Sequence, residues 1–249
     1  MLAKDVWRTP PRALTLGSGE VHVWRASLDM AAAPLQTLKH ALSPDECRRA
    51  ERYRFALDCD RFIARRGLLR AILARYLHGG PDRLRFCYGA HGKPALVDSR
   101  GQPPLRFNVS HSGGLALYAV ACDREVGIDL ERVRPDVYDG EIAERFFSSR
   151  EVASLRALPA TAQVEAFFRC WTRKEAYVKA RGEGLSIPLD QFDVSLAPGE
   201  PAALVNVSGE PREPFRWSLH SVSPAPGYAG ALAAEGQPVG VVRWQWSSV

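Results

Sequence analysis

The sequence predicts an α+β fold built from two similar halves, and three features of its pattern predict it. Long helix-period segments close on glycine-rich stops, groups of short strands bounded by turn residues follow them, and the order strand, helices, strands runs twice along the 249 residues. No residue-level repeat accompanies the repeated order. The expectation is therefore of two α+β halves packed side by side, residues 1–122 and 123–249, with ligands at the interface between them.

The first half opens on an alternating strand at residues 20–25. Ser43-Pro44-Asp45-Glu46 has the form of a capping box with proline at the first helical position, which predicts a helix into Arg54 carrying Arg48, Arg49, Arg52 and Arg54. A second helix is expected over residues 60–77, where Phe62, Ile63, Leu68, Leu69, Ile72 and Leu73 recur at helical spacing. Its polar side offers Arg61, Arg65, Arg66 and Arg70, and His78-Gly79-Gly80-Pro81 stops it. Short strands follow at residues 84–88, 95–97, 105–109 and 115–121. The stretch 108–114 between the last two is rich in backbone and hydroxyl donors that suit a phosphate. Adjacent Ser110 and His111 find no acid partner in the pattern and make a poor catalytic triad.

The second half repeats the order. A strand at 126–131 leads to helices at 141–147, 149–158 and 162–181, the middle one opened by a Ser148/Glu151 capping box. Strands are expected at 191–196, 202–207, 215–222, 228–234 and 241–246.

Composition excludes several classes. The chain is 46% hydrophobic and 24% charged, as an ordinary globular protein is. Its N-terminal stretch has no apolar core before a cleavage site, and its longest apolar run, 115–122, is far too short to span a bilayer, so a cytoplasmic protein without a membrane partner is expected. Five scattered cysteines without a C-x-x-C pair argue against a disulfide framework and against a zinc site. The net charge of +5, from 33 basic and 28 acidic residues, fits a polyanionic small molecule or an acidic protein partner. No zinc finger, RNP-like strand or helix-turn-helix supports nucleic acid as the partner.

Chemistry concentrates in two stretches. Within residues 170–185, Glu175 and Lys179 share a helix face, Phe167, Phe168, Trp171 and Val178 supply an apolar side, and Gly182 ends the helix. A carboxylate and an ammonium one turn apart suit a metal-bound phosphate; an ordinary surface ion pair gives the same spacing. Val126-Gly127-Ile128-Asp129-Leu130-Glu131 reads as a strand that sends both carboxylates to one face. With Glu175 they would offer three hard oxygen ligands to Mg²⁺, while a half-buried strand with a polar outer face fits the alternation equally.

These two stretches resemble the signature motifs of the 4′-phosphopantetheinyl transferases: Val126 to Glu131, then Trp171-Thr-Arg-Lys-Glu-Ala-Tyr-Val-Lys179 followed by Gly182-Glu-Gly-Leu-Ser-Ile-Pro188. Phe107-Asn-Val-Ser-His-Ser112 and Gly92-Lys-Pro94 are similar to the surfactin-synthetase-activating (Sfp) type, and the agreement runs in order over residues 43–196. The resemblance implies a monomer of two pseudo-twofold-related halves with coenzyme A and Mg²⁺, or alternatively Mn²⁺, in the cleft between them. By the same resemblance Asp129, Glu131 and Glu175 hold the metal, and Lys179 contacts the phosphates of coenzyme A. Lys93, Ser110 and His111 line the coenzyme A site, and Arg49, Arg61 and Arg65 reach its 3′-phosphate or diphosphate. A serine of an apo carrier protein (peptidyl, acyl or polyketide) would attack the β-phosphate, with Glu175 as general base, itself or through a water, and adenosine 3′,5′-bisphosphate leaving. Segment 132–149, with Phe146 and Phe147, resembles the carrier-contacting region, core packing being the alternative for at least one ring. Two positions depart from the pattern: family members often have a further basic residue near Glu46 and a hydroxyl at Phe62. Outside the resemblance, another Mg²⁺-dependent enzyme acting on a nucleotide, or a non-catalytic module binding coenzyme A or nucleic acid, stays open.

Overall fold

The computed structural model describes residues 6–97, 104–136 and 140–247, apart from the side chain of residue 185. Residues 1–5 of the N-terminal stretch and 137–139 of segment 132–149 lie outside the described residues. Strand β1 (Glu20–Ser27) leads to helices α1 (Ala32–His40), α2 (Pro44–Ala50) and α3 (Ala56–Leu77), then strands β2 (Phe86–Tyr88), β3 (Pro94–Leu96), β4 (Leu105–Ser112) and β5 (Leu115–Cys122). The same series follows. Strand β6 (Val126–Arg132) leads to α4 (Gly140–Phe146), α5 (Ser149–Arg156) and α6 (Ala160–Arg181), then β7 (Phe192–Val194), β8 (Leu204–Val207), β9 (Trp217–Val222) and β10 (Tyr228–Glu235). A last strand, β11 (Gly240–Gln245), returns to the first sheet and pairs in parallel with β1.

Sheet order repeats along with element order. The first sheet runs β11-β1-β5-β4 and the second β6-β10-β9, so in each the opening strand pairs with the closing strand, which pairs with the penultimate one. The two sheets pack face to face over Val23, Leu117, Ala119, Ile128, Leu232 and Ala234. Helix α3 covers the outer face of the first sheet, against Trp24, Tyr118 and Val120, and α6 covers that of the second, against Ala231 and Ala233. Strand β5 is buried on both faces, which explains an unbroken apolar run that alternation alone would not give. Among the described residues no helix is long and apolar enough to cross a membrane.

Local signals account for most boundaries. Glu151 Oε2 accepts from the Ser148 N–H (2.9 Å) while Ser148 Oγ accepts from the Glu151 N–H (3.2 Å), closing the box that starts α5. Gly182, at φ 72°, ends α6 in the left-handed region that favours glycine. Two expectations change. Helix α1 is not foreshadowed by the pattern, and α2 stops at Ala50 instead of reaching Arg54. The cause is tertiary: Glu46, 4% exposed, binds Arg70 (2.7 Å) and Arg66 on α3, so the chain must turn back after one short helix. Tyr53 packs its ring on Phe62 (5.4 Å between centroids) inside that turn.

Candidate active site

The site is built where β4, β6 and α6 meet. Gly127 makes the approach possible: a Cβ there would lie 2.1 Å from the Ala176 carbonyl oxygen and 2.3 Å from the Ala180 nitrogen. Only glycine lets the α6 backbone rest on β6, which lowers Glu175 and Lys179 onto the strand's carboxylates. Lys179 Nζ stands 2.5 Å from Asp129 Oδ1, and Asp129 is 3% exposed.

Between β4 and β6 the strands are joined by side chains. Asn108 Oδ1 accepts from the Ile128 N–H (2.9 Å), Ser110 Oγ from the Leu130 N–H (3.2 Å) and Ser112 Oγ from the Arg132 N–H (3.0 Å). The two hydroxyls then donate onward, Ser110 to Asp129 Oδ1 (2.9 Å) and Ser112 to Glu131 Oε2 (2.8 Å). Residues two apart on β4 thus satisfy backbone donors two apart on β6 and hold both carboxylates in place.

Crowding sets the electrostatics. Burial raises the Glu131 carboxyl, and Asp129 nearby raises it further, against the Ser112 hydrogen bond. Burial likewise raises Glu175, with Asp129 and Glu131 adding to the rise and Lys179 opposing it. Asp129 Oδ2 is buried with no hydrogen-bond partner. His111 keeps one side open to solvent, and burial of the other, with Arg65 and Lys179, pushes its ring down to about 4. Arg65 Nη1 lies 2.9 and 2.8 Å from the two ring nitrogens and only donates, so the imidazole facing it is neutral.

The remaining expected residues are more dispersed. Lys93 pairs with Glu125 (2.7 Å) and donates to the Ala180 carbonyl (2.9 Å) at the end of α6, in a groove of about 300 Å³ that Glu175 and Lys179 also line. Arg49 and Arg65 stand over Phe62, 5.5 and 5.7 Å from its centroid, beside a hollow of about 210 Å³. Arg61 grips Asp29 through two bonds of 2.7 and 3.1 Å, close to Gly114. Phe147 is 3% exposed and packs on Phe167, whereas Phe146 is half-buried against Trp171. Among the described aromatic rings of the segment, Phe146 is therefore the one left partly open to solvent. Sequence reasoning missed Asn108 and Ser112, although the polar period Asn108-x-Ser110-x-Ser112 within a strand was their signal.

Three hard carboxylates around an orphaned buried oxygen form a donor set that suits a small divalent cation. As placed, no three Asp, Glu, His or Cys side chains among the described residues converge on one metal position, and the Lys179 ammonium takes up Asp129 Oδ1.

Comparison with known proteins adds the family. The 4′-phosphopantetheinyl transferase superfamily (ACPS) description matches residues 125–233, and an N-terminal 4′-phosphopantetheinyl transferase description matches residues 24–123. The chain is 42% identical to 4′-phosphopantetheinyl transferase HetI of Nostoc sp., over 94% of this chain and 96% of that one. It is 36% identical to a putative 4′-phosphopantetheinyl transferase, slr0495, of Synechocystis sp., over 80% and 78%. To 4′-phosphopantetheinyl transferase Sfp of Bacillus subtilis it is 34% identical, over 62% and 66%.

Proposed function

The chain belongs to the 4′-phosphopantetheinyl transferase superfamily, and from that premise we propose that the seam of β4, β6 and α6 is its active site. The reaction moves the 4′-phosphopantetheine group of coenzyme A to a serine of a carrier protein. The observation that carries the assignment is the convergence of Asp129, Glu131, Glu175 and Lys179 on one crowded seam, with a buried carboxylate oxygen left without a partner.

In this reading Asp129, Glu131 and Glu175 hold Mg²⁺, or Mn²⁺ in its place. When bound, the cation neutralises charge on the diphosphate of coenzyme A. Lys179 exchanges part of its hold on Asp129 for the phosphate oxygens, and Arg65 with neutral His111 supplies further donors. The serine oxygen of the carrier attacks the β-phosphate, the bond to adenosine 3′,5′-bisphosphate breaks, and the serine proton passes to the Glu175 carboxylate. A carboxyl raised by burial is a better base near neutral pH than an ordinary one. Ser110 positions Asp129 and also borders the coenzyme A site. Arg49, Arg61 and Lys93 serve the outer phosphates, Arg61 by giving up Asp29.

The halves 1–122 and 123–249 then act as a donor side and a metal and carrier side of one cytoplasmic monomer. The acceptor is an apo carrier protein or domain (peptidyl, acyl or polyketide), whose acidic surface suits the chain's positive balance.

Intact-mass spectrometry tests the reading. Apo peptidyl and apo acyl carrier proteins, each incubated with this protein, coenzyme A and Mg²⁺, should gain the mass of phosphopantetheine, and a chelator should prevent the gain. Asp129→Ala and Glu175→Ala should nearly abolish it while keeping the fold. Wild-type-like transfer by either purified variant would overturn the assignment.

A further inference from the structure

A second charged cavity, of about 640 Å³, lies on the side of α6 turned away from Glu175. It opens between β9 and β11, the end strands of the two sheets. Arg173 precedes Glu175 by two residues, about 200° around a helix, and Arg169 lies one turn before it on the same face. Both line this cavity, together with Arg8, Arg243, His220 and Glu200.

Arg173 is the informative member. Three basic side chains among the described residues are fully buried: Arg70, Arg173 and Lys174. Arg70 holds Glu46 at 2.7 Å and Lys174 holds Glu151 at 2.7 Å, each a buried carboxylate. Arg173 instead donates only to neutral oxygens: the Ser195 carbonyl (2.5 Å), Ser195 Oγ (2.9 Å) and Ser221 Oγ (3.0 Å). Its Nε is buried without a partner, as is Nε2 of His220. Arg169 also donates to a neutral group, the Leu196 carbonyl at 2.7 Å. Glu200, the carboxylate among the described lining residues, is exposed and accepts from the Ala197 N–H (3.1 Å).

Such a site carries surplus positive charge, and its groups respond to it. Burial and then Arg169 push Arg173 down to about 10, and burial and then Arg243 lower His220, which keeps that ring neutral. Glu200 is the carboxylate that offsets this charge, and it is exposed, so Arg173 is a buried cation only partly balanced, whose cost a bound anion would reduce.

We propose that this cavity binds a small phosphate-type oxyanion, seated on the guanidinium groups of Arg169 and Arg173 and separate from the catalytic seam. The planar donor fork of arginine matches phosphate oxygens, and the Ser221 hydroxyl, which accepts from Arg173, keeps its own proton to donate. The volume suits a phosphorylated small molecule better than a protein segment. This site stands independently of the transferase reading, since none of its residues belongs to the seam.

The test uses the full chain and a local reporter. The His220 ring resonances are followed by NMR while inorganic phosphate or diphosphate is added, with sodium chloride at matched ionic strength as control and His111 as the reporter for the seam. Phosphate should shift His220 saturably where chloride does not. Arg169→Gln should weaken the response about tenfold or more, as loss of one charge-assisted contact does, without altering the His111 response. Arg173→Met should remove the response and fold at least as stably in phosphate-free buffer; if it fails to fold, Arg169→Gln and Arg8→Gln carry the test. An unmoved His220, an equal shift with chloride, or a response untouched by Arg169→Gln would overturn the proposal. A response only to an acidic carrier domain would overturn it too, in favour of a protein contact surface.

Discussion

Replacing Ser110 by alanine isolates the connection between the two sheets at the point where it also holds a reactive carboxylate. The hydroxyl accepts from the buried Leu130 N–H (3.2 Å) and donates to Asp129 Oδ1 (2.9 Å), and Lys179 Nζ lies 3.3 Å away. Its loss leaves a buried backbone donor unsatisfied, which costs about 1–3 kcal/mol, and the neighbouring Asp129 keeps Lys179 as its remaining donor. Ser112 has the same pattern on Arg132 and Glu131, but Arg132 is exposed and its N–H can turn to water. Urea unfolding should therefore show a loss of about 2 kcal/mol for Ser110→Ala and about 1 kcal/mol or less for Ser112→Ala. Asn108→Ala, which also uncovers a buried donor, should group with the first. Transfer activity measured well below the unfolding transition should fall about tenfold or more in Ser110→Ala, because Asp129 is then oriented by the mobile Lys179 ammonium alone. A double-mutant cycle with Asp129→Asn should return a coupling of at least about 0.5 kcal/mol. Equal losses for the two serines, or stabilities within about 0.5 kcal/mol of wild type for both, would refute the view that burial of these bonds carries the seam.

Four further outcomes follow from named contacts. Gly127→Ala drives a methyl group into the backbone of α6 at 2.1 Å and should cost at least the 1–3 kcal/mol typical of overpacking, together with activity; an unchanged melting temperature and turnover would refute the close approach. Glu46→Ala strands buried Arg70 and should destabilise by about 3–5 kcal/mol, with Arg70→Met in the same chain recovering much of it; additive losses in urea would count against the pairing. Glu131 and Glu175 have raised carboxyls, so their contribution to stability is full below the ordinary carboxylate range and is lost as pH rises through the raised values. Metal-free melting temperatures should accordingly fall as pH climbs above that range and recover with Mg²⁺; a flat metal-free profile would refute the crowding. Phe147→Ala should cost about 3–5 kcal/mol as a core truncation, whereas Phe146→Ala should spare the fold and raise the Michaelis constant for the carrier; equal stability losses would refute the distinction.

What could be read from the chain was whatever a single element announces by its own period. Asp129 and Glu131 sit two apart on a strand, Glu175 and Lys179 four apart on a helix, and those spacings put each pair on one face of its own element, while the joining of the two pairs followed only from the family resemblance. The Ser148/Glu151 box and Gly182 marked the ends of α5 and α6 for the same reason, since caps are local. The end of α2 was illegible because Glu46 answers to Arg70, 24 positions away, and that ion pair overrides the helical continuation that the sequence allows. Phe147 illustrates the same limit, because exposure depends on what Phe167 and Trp171 cover. The deeper gap concerns Asn108, Ser110 and Ser112. Their period shows that they share a face, but not that the partners of that face are backbone donors of β6. The carboxylates stand on β6, their hydroxyl supports on β4 and the ammonium on α6, so neither sheet contains the site alone. An alternating polar row on a strand whose other face is apolar therefore carries information: inside a packed fold each of those groups must find a partner, and a second strand is the nearest source of evenly spaced ones. Arg173 reads by the same logic in reverse, as a buried cation whose direct partners are neutral oxygens and whose offsetting carboxylate, Glu200, is exposed, so the balance of its charge is a property of the surroundings that the helix pattern around it does not encode.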